Sequence, residues 1–499
     1  MAKPSSFLWL VVMGVITLAV YWPALNASYF ADDYQFVFDK PCSKVLWYFA
    51  HPNERNSFYR PIQASFLAIV QTCSGMQCWP IHLTQIALHV IMAWLVYVAI
   101  ASFGFSRMQA GIGAAFMLLS QANVHAVLSN DTLSQVGGTL FGCLALWFLY
   151  CSYQHATDRA SPLGQHKRID NKYYVTSLVM LVLSLFSKEA SVSFLPMAAV
   201  VVLSANLRIT RSSLAVKKAI VDVLPYALAA GVYLAVRLVI VKAPPPTFGS
   251  GRYNFHVGVN VIRNLAMSGF ALFVPVSTVT VFSWLKSGAL VVLGVIGTLT
   301  LALFVLVAVG LWYASRRGVM LLMAGLALLG LFPMVLMNHV SELYAYNSMP
   351  FVAVLVGIGL GQLWLVLRPN RAGRAFLVLA ACVLMGSHIV AVRSKARLMD
   401  YNGRRATALL QQVNSFADNA PLNGRLWLCN PSVEDVEYSV FHMSGFNVLR
   451  SAFSVPHLWN RADLEIRVVS PAEMAGTSLP EDTLVLTLEG NNVVVQCER

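Results

Sequence analysis

Two adjacent carboxylates, Asp32 and Asp33, stand in the run Tyr29-Phe-Ala-Asp-Asp-Tyr34, just behind the first long apolar block of the chain. Tyr21, Trp22, Phe30 and Phe36 surround them in sequence. Burial beside apolar groups raises a carboxyl pKa, and a like-charged neighbour raises one of a pair further. Such a pair at a membrane edge suits a general base for an acceptor hydroxyl. The plain alternative is a solvated acidic loop.

Other residues could meet an anion. Tyr59-Arg60-Pro61 sets a guanidinium fork beside a phenol, a phosphate-binding pairing, or an interfacial arginine snorkelling to water. Lys188 and Glu189 form an opposed pair between two short apolar blocks. The lysine could neutralise a phosphate and the glutamate orient it, or the two could merely cap a hairpin. His82 and His89 are seven residues apart, hence on one helical face, and His89 reads best as a hydrogen-bonded core residue. His339, Glu342, Tyr344 and Tyr346 cluster in Asn338–Asn347, and Arg252 and Arg263 are further phosphate candidates. A polar turn with two tyrosines at a membrane face suits a lipid headgroup or a sugar.

What must position these residues is a set of membrane helices. The chain has 499 residues, 57% hydrophobic and 11% charged. A soluble domain carries roughly 25% charged residues, and a block of about 20 apolar residues spans a bilayer. The blocks Phe7–Ala24, Ile81–Phe103, Gln109–Val127, Leu133–Cys151, Tyr173–Ser187, Ser191–Ala205, Ile220–Val241, Leu290–Tyr313, Val319–Met337, Met349–Leu367 and Ala375–Val392 predict about 11 transmembrane helices. Phe270–Phe282, with Pro275 inside it, reads as re-entrant or surface-lying.

The net charge of +13 serves topology, not nucleic acid, because no basic-aromatic cluster accompanies it. With the N-terminus in the cytoplasm, Arg107, the Arg159–Lys172 loop, the Arg208–Lys218 loop, Arg316-Arg317 and Arg368–Arg374 all fall inside. The loop 25–80, the Lys188-Glu189 turn, 242–284 and 338–347 then fall outside. The first block ends in Tyr21-Trp22-Pro23 rather than a small-residue cleavage site, so it reads as a retained span. Beyond it all, the apolar blocks shrink to strand length at Leu426–Cys429, Leu464–Val469, Leu484–Leu488 and Val493–Val495, with a helical pattern over Asp400–Phe416. The division expected is 1–393, a transmembrane catalytic domain, and 394–499, a small extracytoplasmic α/β domain. The basic run Arg393, Lys395, Arg397, Arg404, Arg405 falls outside, where it precedes a large domain and the positive-inside rule is weak.

Cys73 and Cys78 could close a small loop on an oxidising side, and Cys429 and Cys497 are another open pair. No Cys/His spacing matches a closed zinc site. The sequons at Asn26 and Asn130 carry little weight.

Taken in order, these residues resemble the GT-C membrane glycosyltransferases, among them protein O-mannosyltransferases, lipid A aminoarabinose transferases and tetratricopeptide-linked O-mannosyltransferases. The resemblance runs through Phe30-Ala-Asp-Asp-Tyr34, Tyr59-Arg-Pro61, His82-Leu83 with His89, Asn130-Asp131, Ser187-Lys-Glu189 with Pro196, and Glu342-Leu-Tyr-Ala-Tyr346. Leu343 departs from the pattern, since related motifs carry Arg after Glu. The first five spans match best, and the C-terminal domain matches no member.

The resemblance implies an enzyme in a bacterial inner membrane that moves a sugar from a polyprenyl-phosphate donor to an extracytoplasmic acceptor. The acceptor would be a surface protein, an O-antigen or other glycan, or a lipid. One Asp of the pair, Asp32 for preference, would be the base of an inverting displacement. Arg60, Lys188 and Arg252 or Arg263 would meet the phosphate. No cofactor is implied with certainty, and a divalent metal stays open. Two rivals stand beside this reading. A polyprenyl-diphosphate-glycan ligase would rely on His339 and Arg263, and a lipid-linked sugar carrier would need no chemistry.

Overall fold

The computed structural model describes residues 4–36, 41–52, 58–75, 77–158, 169–209, 212–241, 254–418, 420, 422–430, 445–454, 461, 463–480 and 482–496. Helices dominate, and the apolar blocks are the reason. Among the described residues seven helices are long and apolar enough to cross a membrane, or eight if the bent pair Arg107–Leu119 and Gln121–Leu128 is one span. Most of the Leu290–Trp312 helix faces outward, with only 6% of its apolar window buried in the protein. Water cannot solvate such a surface, so lipid does. The chain is an integral membrane protein.

All eleven expected spans fall on helices. Seven coincide with the long helices, and Gln109–Val127 is the bent pair, broken by 46°. The other three are helical as well, and only one is shorter than expected. The first is Pro4–Tyr21, the second Asn171–Ser187, and Val319–Met337 shrinks to Arg317–Gly330. Fourteen residues rise about 21 Å, short of a core roughly 30 Å thick. The segment around Pro275 is two helices, Val259–Phe273 and Thr278–Lys286, separated at Val274–Ser277. The first loop, 25–80, holds a helix that no apolar block announces, Pro61–Ser74, opened by proline at its first position.

Ala375–Val392 and Asp400–Phe416 are one continuous helix, Arg371–Ala417, of 47 residues. It rises about 70 Å. The boundary expected at 393/394 therefore falls inside an unbroken helix. Gly403 on this helix lies against the first loop, where a Cβ would stand 2.5 Å from the Ser28 carbonyl oxygen. Glycine is what lets helix and loop backbones touch there.

The C-terminal strands are β1 (Arg425–Cys429), β2 (Glu465–Val469), β3 (Thr483–Glu489) and β4 (Asn492–Val495). They form one sheet in the order β2-β1-β3-β4. β1 is parallel to β2 and β3, while β4 closes antiparallel on β3. Each expected strand is present within about one residue. Cys73, Cys78 and Cys429 are free thiols. Cys497 lies outside the described residues.

Candidate active site

The site gathers at one end of the helix bundle, where four chain segments enter helices. His82 lies in the first turn of Trp79–Ser102, Asp131 just before Leu133–Asp158, Glu189 just before Phe194–Ile209, and Glu342 before Met349–Val366. Helix starts present unpaired N–H groups and a partial positive charge, which favours anions.

Ala31 sets the direction of the acidic pair. Its φ of 49° is left-handed, a conformation a non-glycine residue adopts only when its surroundings enforce it. The enforcement is visible: the Ala31 N–H donates to the Val448 carbonyl at 2.7 Å. Val448 is buried in the Gly445–Ser454 segment that packs over this loop.

The two carboxylates then separate. Asp33 is 1% exposed. Its Oδ2 accepts from Asn130 Nδ2 at 3.0 Å and the Phe30 N–H at 3.3 Å, and its Oδ1 from the Asp131 N–H at 3.1 Å. It ties the first loop to the start of the Leu133–Asp158 helix. Asp32 is only half-buried, and its charge, with those of Glu342, Lys395 and Lys188, acts on His125. Asp32, Lys188, Lys395 and Glu342 thus all lie near His125, while Asp33 is held by the Asn130 amide and two backbone N–H groups.

Burial first, and the Asp131 charge second, push the Asp33 acid up to about 8, against the pull of its N–H donors. A carboxyl raised in the fold from about 4 contributes stability that is complete below about pH 4 and lost as pH rises through about 8. The melting temperature in detergent is therefore expected to fall from pH 5 to pH 9, and to fall less in Asp33→Asn. Scanning fluorimetry across that range checks it, and equal slopes in the two proteins would refute the shift.

Arg60 and Glu189 meet across the fold. Arg60 Nε and Nη2 donate to the two Glu189 oxygens at 2.8 and 2.6 Å, a bidentate pair, and the guanidinium lies over the Phe58 ring at 4.5 Å. Lys188 Nζ is 3.8 Å from the same carboxylate and is itself buried. Burial first and the Arg60 charge second bring the Lys188 ammonium down to about 8. It is still charged near neutral pH. Gly138 makes room for it, because a Cβ there would stand 3.1 Å from Lys188 Cβ and 2.9 Å from Ser191 Oγ. Asp131 acts on both cations, and Tyr344 acts on Arg60.

The far wall is Glu342 and Lys395. Lys395 Nζ is 2.8 Å from Glu342 Oε2 and also donates to Gln121 Oε1. Glu342 Oε1 accepts from the Thr278 N–H at 2.5 Å. Gln121 Nε2 donates to the Val274 and Val276 carbonyls at 3.2 and 3.1 Å. One lysine thus joins the long helix, the bend at 120–121 and the broken helix around Pro275.

The remaining candidates divide. His82 is buried, with Nε2 3.3 Å from the Ala27 carbonyl, and holds the first loop. His89 is a core residue, 2.9 Å from the Tyr346 hydroxyl. Tyr346, expected at a headgroup or sugar, is fully buried, with its hydroxyl against His89 of the Trp79–Ser102 helix. The Tyr59 hydroxyl donates to the Phe49 carbonyl at 2.8 Å, which turns it away from an anion beside Arg60. Glu189 orients Arg60 rather than a ligand. Arg263 is exposed and donates to the Asn338 carbonyl at 3.2 Å. The His339 ring meets Tyr344 edge-on at 6.1 Å. Arg252 lies outside the described residues. Asn130 is 1% exposed and bound to Asp33, which closes that sequon to modification.

Lys395, His125 and Gln121 were missed by sequence reasoning. His125 and Gln121 are polar residues inside an expected span, a signal that marks function by default. Among the described residues, no three His, Cys, Asp or Glu side chains converge to hold a metal ion.

No family model and no curated protein sequence matches the chain. Solved structures do. The apo oligosaccharyltransferase of Archaeoglobus fulgidus is similar at a TM-score of 0.47 and 12% identity, over 84% of this chain and 62% of that one. The present chain therefore spans less than two thirds of that protein's length. ArnT from Cupriavidus metallidurans, bound to undecaprenyl phosphate, is similar at a TM-score of 0.46 and 12% identity, over 96% of this chain and 93% of that one. The Archaeoglobus fulgidus protein AglB, in complex with an inhibitory peptide and a dolichol-phosphate, is similar at 0.43 and 14% identity, over 78% and 56%.

Proposed function

We propose that this chain is a GT-C type glycosyltransferase that moves a sugar from a polyprenyl-phosphate donor to an acceptor hydroxyl on the extracytoplasmic side. The observation that carries the reading is the division of the acidic pair. Asp33 is enclosed by three N–H donors, and Asp32 is half-buried, its charge acting on His125 together with those of Glu342, Lys395 and Lys188.

In this reading Asp32 accepts the proton of the acceptor hydroxyl. The hydroxyl oxygen attacks the anomeric carbon as the bond from that carbon to the phosphate oxygen breaks. The pair of electrons leaves with the polyprenyl phosphate, and the configuration inverts. A phosphate leaving group needs positive charge more than an acid. Lys188 supplies it, with Arg60 held in place by Glu189. The sidedness follows from the basic loops, which all fall inside when the site end faces out.

The test is reconstitution of the purified chain in liposomes containing a polyprenyl-phosphate sugar, with transfer to added acceptors followed by mass spectrometry. The expected product is an acceptor heavier by one sugar in inverted linkage, with free polyprenyl phosphate released. Movement of the lipid across the bilayer with no new glycosidic bond would make the chain a carrier. Transfer only from a diphosphate-linked glycan would make it a ligase.

A further inference from the structure

A groove of about 560 Å³ lies between the first loop and the distal part of the Arg371–Ala417 helix. Its position follows from contacts already described: Gly403 brings that helix against Ser28, and His82 holds Ala27. The volume is that of a ligand pocket. Its lining is unusual for a chain of net charge +13: none of the described residues around it is Asp, Glu, Lys, Arg or His. Instead Asn26, Gln77, Gln411 and Asn414 bring four side-chain amides to it, beside Trp79 and Tyr29.

Two of these residues are poised for a ligand. Trp79 is 46% exposed, and its Nε1 donates to Gln77 Oε1 at 2.6 Å, which fixes the ring at the mouth of the groove. Asn414 Oδ1 is enclosed and has no hydrogen-bond partner among the described residues. An enclosed acceptor without a donor costs about 1–3 kcal/mol, and a sugar hydroxyl would satisfy this one only on a turn of the Asn414 amide toward the groove.

We infer that this groove binds a neutral carbohydrate chain. Amides both donate and accept, as sugar hydroxyls do, so each can satisfy either sense of a hydroxyl. An aromatic ring offers a flat apolar face to the C–H side of a pyranose. The lack of charge argues against an acidic glycan, a phosphorylated headgroup or a basic peptide, each of which would need a counter-charge. The walls are a helix face and a loop, with no free strand edge to pair an extended peptide backbone. As the acceptor's seat, the groove rests on the glycosyltransferase reading above; as a carbohydrate site it does not.

The experiment uses the full chain in lipid nanodiscs on an array of neutral oligosaccharides, acidic oligosaccharides and uncharged peptides. Retention of at least one neutral oligosaccharide is expected, roughly tenfold or more weaker in Trp79→Ala and in Gln411→Ala/Asn414→Ala at unchanged melting temperature. Retention of no neutral glycan, a preference for acidic glycans or peptides, or neutral binding untouched by both variants overturns the inference. If glycans bind but no sugar is transferred, the enzymatic reading falls and the groove stands. If transfer proceeds with the Trp79→Ala KM for acceptor unchanged, the groove falls and the enzyme stands.

Discussion

Asp32→Asn is expected to lower kcat for sugar transfer by about 10²–10⁴-fold, the range a positioned general base contributes. Donor binding should be unchanged, because the charges proposed to meet the phosphate are Arg60 and Lys188. The melting temperature should fall less than in Asp33→Asn, whose carboxyl accepts from the Phe30, Asn130 and Asp131 N–H groups. Asp33→Asn provides the contrast. It replaces an oxygen that accepts from an N–H by an amide nitrogen that cannot, and a buried donor left unpaired costs about 1–3 kcal/mol. Its defect should therefore appear in stability and in its pH dependence. Single-turnover kinetics with donor-loaded enzyme separates the two cases. Transfer at more than a tenth of the normal rate in Asp32→Asn would remove Asp32 from the role of base.

Lys395→Met is the second large effect. It leaves Glu342 buried at 6% exposure without its cation, and breaking a buried pair by removing one partner costs about 3–5 kcal/mol. The Lys395→Met/Glu342→Gln double variant removes the stranded charge and should recover more than half of that loss. A double-mutant cycle by thermal unfolding in detergent measures the coupling. Additive losses would mean that the two side chains do not depend on each other. Because Lys395 also holds Gln121, and through it the 274–276 carbonyls, the single variant should lower transfer as well.

Some of this was legible along the chain. The apolar blocks marked every long helix, because hydrophobicity and length decide which segments enter lipid. The strand pattern marked β1–β4, and the residues singled out by type, Asp32-Asp33, Arg60 and Lys188-Glu189, come together at one end of the bundle. Lys395 was hidden by its company, a basic run in which charge spoke for topology. Yet His388, Val392, Lys395, Met399, Asn402 and Ala406 are all buried, at helical spacing. Extending the helix through 393 would have turned Lys395 inward. The short helix Pro61–Ser74 was hidden by its polar neighbours in a long loop.

The sequence by itself determined the solvent of this protein, its helical class and the kinds of side chain available to its site. Those properties are local, carried by composition and period within each block. Only the tertiary structure decided which groups meet. It paired Arg60 with Glu189, set Lys395 against Glu342, enclosed Tyr346 in the core, and gave the adjacent carboxylates opposite surroundings. Neighbours in sequence share composition, but a left-handed residue at 31 sends Asp33 into backbone donors and leaves Asp32 half-buried. Burial and partners are properties of the folded path, and no local pattern encodes them.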